Sequence, residues 1–316
     1  MNSFGHLEDG QEVIEFTLQC GNIVAKVLNY GCIVTYISFD GSPNLVLSYP
    51  DLDSYVKNRS IRLNTVVGRV ANRIEDGTFE LDGITYNLPI NEESRNNNLH
   101  SGPIGFDQRV WTVVERKPHI IEFEYISVHM EGGFPHEVVA KVEYSIKGSN
   151  FGIAYRANSD KPTPIAMTNH IYFSLDCPVN EMEMEINASE YWKLNRRCLP
   201  HRLCSVESTV FDFREPRVIA PAREELLTTR GYDHCFVLDS SDSATIKGRN
   251  IQMSLTTDNP CLQVYTGNYL QDAGFDDHSA ICLEAQIRPN DISSMVTDTY
   301  KTYTGFSFSY LKEIDS

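Results

Sequence analysis

The sequence predicts an all-β fold, a large antiparallel β-sandwich with few short helices. Three observations carry that expectation. Val138, Ala140, Val142, Tyr144 and Ile146 alternate with Val139, Lys141, Glu143, Ser145 and Lys147. Met182, Met184 and Ile186 alternate with Glu181, Glu183 and Glu185 in the same way. Successive side chains on a strand point to opposite faces, so such alternation means one buried and one wet face, as antiparallel sheets have. Long amphipathic stretches with helical period are almost absent, and Gly, Asn and Asp clusters punctuate the apolar runs.

The chain opens with strand-like segments at Glu12–Leu18 and Ile23–Phe39, the second interrupted by Gly31. Asp51–Asn58 reads as a short helical turn with an acidic cap. Two arginines and two asparagines interrupt the apolar run from Asn64 to Ile74. Thr78–Leu81 and Ile84–Leu88 flank Asp82-Gly83, the signature of a two-residue hairpin. Residues 91–98 are polar and Asn-rich, a loop that leads into Leu99-His100-Ser101. Ile121, Phe123 and Tyr125 alternate with Glu122 and Glu124, and Gly148-Ser149-Asn150 turns the chain into Phe151–Ala157. Residues 195–230 are irregular and rich in Pro and Arg, a long surface excursion by composition. No repeat or composition break divides the chain, so residues 1–316 are expected to form one domain.

A chain of 316 residues with 41% hydrophobic residues has ample material for a large core. Its net charge of −16 argues against nucleic acid, which clustered Lys and Arg bind, and more weakly against anionic substrates. The eight cysteines form no C-x-x-C pair, which suggests neither a zinc site nor a redox motif. The N-terminus lacks a basic-then-apolar leader, and no stretch approaches 18 apolar residues. The expectation is a soluble, cytoplasmic protein without membrane contact.

One run stands out, Ile165 to Leu175. At period two, Ile165, Met167, Asn169, Ile171, Phe173 and Leu175 share one face, and Ala166, Thr168, His170, Tyr172 and Ser174 the other. The second face has no Lys, Arg, Asp or Glu, yet carries an imidazole, a phenol and two hydroxyls, a lining suited to a sugar-sized ligand. Gln263 and Tyr265 share a strand face in Cys261–Gly267, as do Cys282, Glu284 and Gln286 in Ile281–Ile287. Asn72-Arg73, His100 and Tyr232-Asp233-His234 are further polar clusters. Each has an ordinary structural reading: His170 as a structural histidine, His100 as a loop cap, Glu284 as a solvent-facing strand residue, Asp233 as turn chemistry. Local pattern alone supports only a β-sandwich with a polar concave face.

Taken together, these clusters resemble the aldose 1-epimerase (galactose mutarotase) family. The matching stretches are Gly68–Ile74, Asn98–Gly102, Gly105–Asp107, Thr168-Asn169-His170 with Tyr172-Phe173, Tyr232–His234, Gln263–Asn268 and Leu283–Gln286, in family order along nearly the whole chain. The chain departs from the family pattern at Ser101, His136, Ser174 and Asn290. The resemblance implies a β-supersandwich whose open concave face holds a free hexose such as galactose or glucose, with no metal or cofactor. It also implies that Glu284 is the base taking the C1 hydroxyl proton and His170 the acid protonating the ring oxygen, with His100 as a second donor. By the same resemblance Asn72, Arg73, Asp233 and Gln263 hold the sugar hydroxyls. The reactive state needs Glu284 ionised and His170 protonated, which neighbouring carboxylates favour and desolvation opposes. The partner is a small molecule, and the chain is expected to be a monomer or weak homodimer.

Three other readings compete. A sugar-binding protein on this fold would have lost its catalytic residues, yet all are present. A hexose-6-phosphate epimerase would need basic residues near C6, for which only Arg69 and Arg73 offer themselves. A glycosidase or lyase using Asp233 and Glu284 would leave both histidines unexplained.

Overall fold

The structure, a computed structural model, describes residues 1–221 and 224–311. The expected domain of 1–316 and the irregular stretch 195–230 therefore include residues 222–223 and 312–316, which lie outside the described residues. Nine strands form the larger sheet, in the order 112–117, 120–127, 138–147, 150–164, 296–310, 251–257, 242–247, 183–186 and 217–218. Six form the second: 172–173, 281–286, 261–265, 233–237, 190–194 and 200–205. A four-stranded sheet, from Asn2–His6 to Val34–Phe39, is built by the first strands of the chain. Every pairing within these sheets is antiparallel.

Alternation translates directly into burial. Val138, Ala140, Val142, Tyr144 and Ile146 are all buried, while the residues between them are half-exposed. Across the sandwich, the Phe173 and Phe306 rings meet at 4.8 Å, joining the six-stranded sheet to the nine-stranded one. Leu262, Val264, Ile281, Leu283 and Ala285 share this core with Met253, Leu255 and Phe306. Each fully buried side chain of this size stabilises the fold by about 1.5–3 kcal/mol over its exposed state. The opposite face of the 261–265 and 281–286 strands carries Gln263, Tyr265, Cys282 and Glu284. Core packing thus turns those polar residues toward the concave side.

The hairpin expected at Asp82-Gly83 forms, with φ of 51° and 75°, the left-handed pair that a twisted two-residue turn requires. The short helix forms at Leu52–Lys57, and the Asp51 side chain accepts from the Ser54 N–H. Two expectations need correction. Residues 165–175 are not one strand: Thr168–Asn169 pairs with Val66–Val67, and Tyr172–Phe173 pairs with Ile281–Cys282 in a different sheet. His170 sits at the crossing between them. Its N–H donates to Thr65 O at 2.9 Å and its carbonyl accepts from Asn64 N–H at 3.1 Å. Nor is 195–230 only a surface excursion. Pro200–Ser205 is an edge strand, and Val206, Phe211, Phe213 and Ile219 are buried in the core.

Candidate active site

The concave face closes into a cavity of about 220 Å³. That is below the roughly 300–1,000 Å³ of drug-sized sites and fits one small polar molecule. Asn72, Arg73, His100, His170, Asp233 and Glu284 all line it. Gln263 does not. Its Nε2 donates to Asp233 Oδ1 at 2.6 Å, so it orients that carboxylate. A larger cavity of about 600 Å³ lies beside Tyr191, Phe211 and His234 and contains none of the predicted site residues.

His170, from the crossing between two short strands, and Glu284, from the 281–286 strand, meet with Nε2 3.7 Å from Oε1. Tyr172 stacks on the His170 ring at 4.9 Å, and His100 meets it edge-on at 5.5 Å. Of the five residues expected on the polar face of 165–175, only His170 and Tyr172 line the cavity. Thr168 instead donates its hydroxyl to Ala285 O. Glu284 is buried, not solvent-facing, and its Oε2 has no partner among the described residues.

Two bonds lock His100 to Asn72. His100 N–H donates to Asn72 O at 2.9 Å, and Asn72 N–H donates to His100 Nδ1 at 3.1 Å. A neutral ring that accepts at Nδ1 carries its proton on Nε2. His100 is thus a fixed, uncharged donor. His100, His170 and Glu284 bring one ligand atom each within 4.8 Å of one another, a spacing a metal ion could bridge. Neither nitrogen of His100 has a lone pair to spare in this arrangement: one is taken by the Asn72 amide and the other is protonated. The donor set therefore suits hydrogen bonding better than metal ligation.

Arg73 makes a two-pronged ion pair with Glu92, its Nε lying 3.0 Å from Oε2 and its Nη2 3.1 Å from Oε1. Its Nη2 is also 3.6 Å from Asp233 Oδ2. Burial lowers the Arg73 pKa, but Asp233 and Glu92 outweigh it and hold the guanidinium above its ordinary value. Gly231, with φ of 149°, lets the loop carrying Asp233 approach Asn268, where a Cβ would strike Oδ1 at 2.3 Å. Asn268 Nδ2 then donates to Thr229 O and Tyr232 O, both at 2.9 Å, and anchors that loop.

Burial works against both charges of the expected ion pair. Burial, then Arg62, pulls His170 down to about 4, and burial, then Asp233, pushes Glu284 well above the carboxylate range. Desolvation outweighs the attraction of neighbouring carboxylates. Burial thus disfavours both the Glu284 anion and the His170 cation.

Sequence reasoning missed Arg62, Glu92, Arg95 and Tyr269 as lining residues. Tyr172 and Tyr265 were visible as occupants of the polar faces. Arg62 had no signal, because its approach depends on a left-handed backbone at φ 53° in an otherwise ordinary segment. Its guanidinium donates to Ser60 O and Leu99 O and lies 3.8 Å from Asp107. Arg69 lies outside the cavity, its donors given to Pro135 O, His136 O and Ser127.

Fold and site together present an all-β protein with a small polar cavity that juxtaposes imidazole, carboxylate and guanidinium groups. The family model "Aldose 1-epimerase" matches residues 15–300. Galactose mutarotase of Bos taurus is 32% identical, over 92% of this chain and 90% of its own. Aldose 1-epimerase of Escherichia coli K12 is 34% identical, over 89% and 88%. The solved structure of galactose 1-epimerase from Lactobacillus acidophilus superposes with a TM-score of 0.91 at 25% identity, covering 98% of each chain. The chain belongs to the aldose 1-epimerase family, carbohydrate isomerases that interconvert the α and β anomers of aldoses.

Proposed function

We propose that Glu284 and His170 carry this interconversion on free hexoses such as galactose and glucose. The observation that carries the reading is the 3.7 Å contact between His170 Nε2 and Glu284 Oε1 in a cavity scaled to one sugar ring. Glu284 takes the proton of the C1 hydroxyl, the C1–O5 bond breaks with its electron pair going to O5, and His170 Nε2–H protonates O5. The aldehyde turns about C1–C2 and the ring recloses on its other face, the two residues exchanging roles. His100 donates to the ring oxygen or a neighbouring hydroxyl, while Asn72, Arg73 and Asp233 hold the remaining hydroxyls. Gln263 acts by orienting Asp233.

Burial opposes both charges of the reactive pair, and sugar hydroxyls that donate to Glu284 stabilise its anion and so favour the pair with protonated His170. Each acid or base group typically contributes about 10²–10⁴ in rate, so the pair removes roughly 5–11 kcal/mol from the barrier. Galactose as a substrate is supported by the names of the relatives, galactose mutarotase and galactose 1-epimerase. A phosphorylated hexose is disfavoured because Arg73 and Arg95 are paired with Glu92 and Arg62 lies beside Asp107. The active form in this proposal is a monomer or weak homodimer. All eight cysteines are free, which supports a reducing, cytoplasmic location. Among the described residues no helix is long and apolar enough to cross a membrane.

Polarimetry on freshly dissolved α-galactose and α-glucose tests the assignment. Glu284→Gln and His170→Asn are each expected to lose at least about 100-fold in kcat while remaining folded. A wild-type rate in either variant would show that its proton-transfer role is wrong.

A further inference from the structure

The two imidazoles of the site are held through Nδ1 by partners of different chemistry. His100 accepts from the Asn72 amide, which cannot become an acceptor, so a second proton on the ring would break that bond. His170 Nδ1 instead lies 3.4 Å from Cys282 Sγ. A thiol is a weak donor and a weak acceptor, so it tolerates a proton on either side. Cys282 is fully buried, sits opposite Tyr172 on one neighbouring strand and Tyr265 on the other, and precedes Glu284 by two residues on the same face. Burial, then the charges of Glu284 and Asp233, holds its thiol well above the usual range, so the sulfur meets the ring uncharged.

We propose that Cys282 is the positioning residue of His170, its sulfur accepting the Nδ1–H and leaving Nε2 as the atom that exchanges the proton with the sugar's ring oxygen. This rests on the reading of His170 as the acid. In ring opening the Nε2–H bond breaks and the O5–H bond forms; reclosure reverses both. The Nδ1–H stays on the sulfur throughout. A carboxylate in that place would stabilise the imidazolium and weaken it as an acid. The sulfur fixes the ring without adding charge. The charged and titratable groups facing the ring are Arg62, His100, Asp233 and Glu284, with the phenols of Tyr172 and Tyr265. All remain in Cys282 variants, so a change in the ring's behaviour reports the sulfur.

Nitrogen-15 NMR of the full-length wild-type protein, with His170 assigned by the signal lost in His170→Asn, reads the tautomer directly. The expected result is Nδ1–H in the wild type and a mixture in Cys282→Ala. The same variant is expected to lose about 10-fold in kcat with KM nearly unchanged, and Cys282→Ser to recover most of that loss. Cys282→Asp is expected to move the acid limb of the kcat–pH profile upward by about one pH unit or more. An Nε2–H tautomer in the wild type, which needs no variant to fold, would overturn the proposal. So would a Cys282→Ala enzyme with wild-type kcat and pH profile. An active His170→Asn would overturn the acid assignment itself. An inactive His170→Asn beside an unaffected Cys282→Ala would overturn only the role of the sulfur.

Discussion

The Asn72 amide N–H donates to Nδ1 of His100 at 3.1 Å, and this one bond decides what His100 can do. The ring presents Nε2–H to the cavity and stays neutral, because burial, then Arg62 and His170, holds its pKa well below the ordinary value. A donor without a titration can be replaced by another neutral donor. His100→Gln is therefore expected to retain about a tenth of wild-type kcat, whereas His100→Leu loses about 10²–10³, the usual effect of removing one donor aimed at developing charge. Polarimetric rates between pH 5 and 8 check both. His100→Gln should also keep the shape of the wild-type pH profile, and a shifted limb would mean that His100 titrates in the working enzyme.

Arg73 is fixed before any sugar arrives. Its fork engages Glu92 with two nitrogens and turns Nη2 toward Asp233. A lysine supplies the charge but not the fork. Arg73→Lys should raise KM about 10-fold or more with a smaller effect on kcat, the pattern of lost ground-state binding. Glu92→Gln should cost about 1.5–3 kcal/mol of stability in urea unfolding, the worth of hydrogen bonds to a charged group, and raise KM as well. A Glu92→Gln enzyme with wild-type stability and KM would show that Arg73 holds its place without this partner.

Ser101, one of the departures from the family pattern that the sequence resembles, takes the left-handed conformation, φ 64°, and its hydroxyl explains how it does so. Oγ accepts the Val70 N–H at 2.7 Å and donates to the Val70 carbonyl at 3.0 Å. The two bonds offset the steric cost of a Cβ at positive φ and tie the His100 loop to the segment carrying Asn72 and Arg73. Ser101→Ala keeps the strain and leaves two buried backbone groups unpaired, a loss of about 2–3 kcal/mol. Ser101→Gly loses the bonds but relieves the strain, so its loss should be about 1 kcal/mol smaller. Urea denaturation orders the three proteins; a Ser101→Ala variant as stable as wild type would refute the stapling role.

The legible parts of this protein are those governed by local chemistry. Alternation at 138–147, the Asp82-Gly83 turn and the Asp51 cap each depend on a few adjacent residues, and each appears where expected. The convergence of His170, Glu284, His100 and Arg73 became legible through recurring motifs, since no local rule joins positions so far apart in the chain. Other features depended on tertiary context. The 165–175 run reads as a strand by period, yet its two ends pair with different sheets, and His170 is aimed by the crossing. Gln263 was read on the polar face of its strand, but only the packed structure shows its amide engaged by Asp233. His136 and Arg62 stand at φ 64° and 53°, conformations that neither residue type advertises. The strength of the desolvation acting on the His170–Glu284 pair depends on depth of burial, which is not written in any one segment.

His234 offers a clean measure of that burial, because it stands outside the proposed catalytic set. Its Nδ1 accepts the Asp233 N–H at 3.2 Å and its ring packs against Phe211 at 4.6 Å. Burial holds it down to about 4, against a partial opposing effect of Asp233. Between the ordinary histidine value near 6.5 and about 4, the unfolded chain binds a proton that the native chain refuses. Stability contributed by the neutral ring is thus fully present above pH 6.5 and lost as pH falls toward about 4. At pH 5 this loss amounts to about 2 kcal/mol for one such ring. His170 and His100 act in the same direction, while Glu284, shifted upward, acts in the opposite one. The whole-protein pH curve therefore mixes signs, and the informative quantity is a difference. Urea unfolding at pH 7.5 and pH 5 should show His234→Gln losing about 2 kcal/mol less than wild type over that interval, since glutamine keeps an acceptor for the Asp233 N–H and has no proton to take. Equal losses in the two proteins would mean that His234 is protonated in the native state at pH 5.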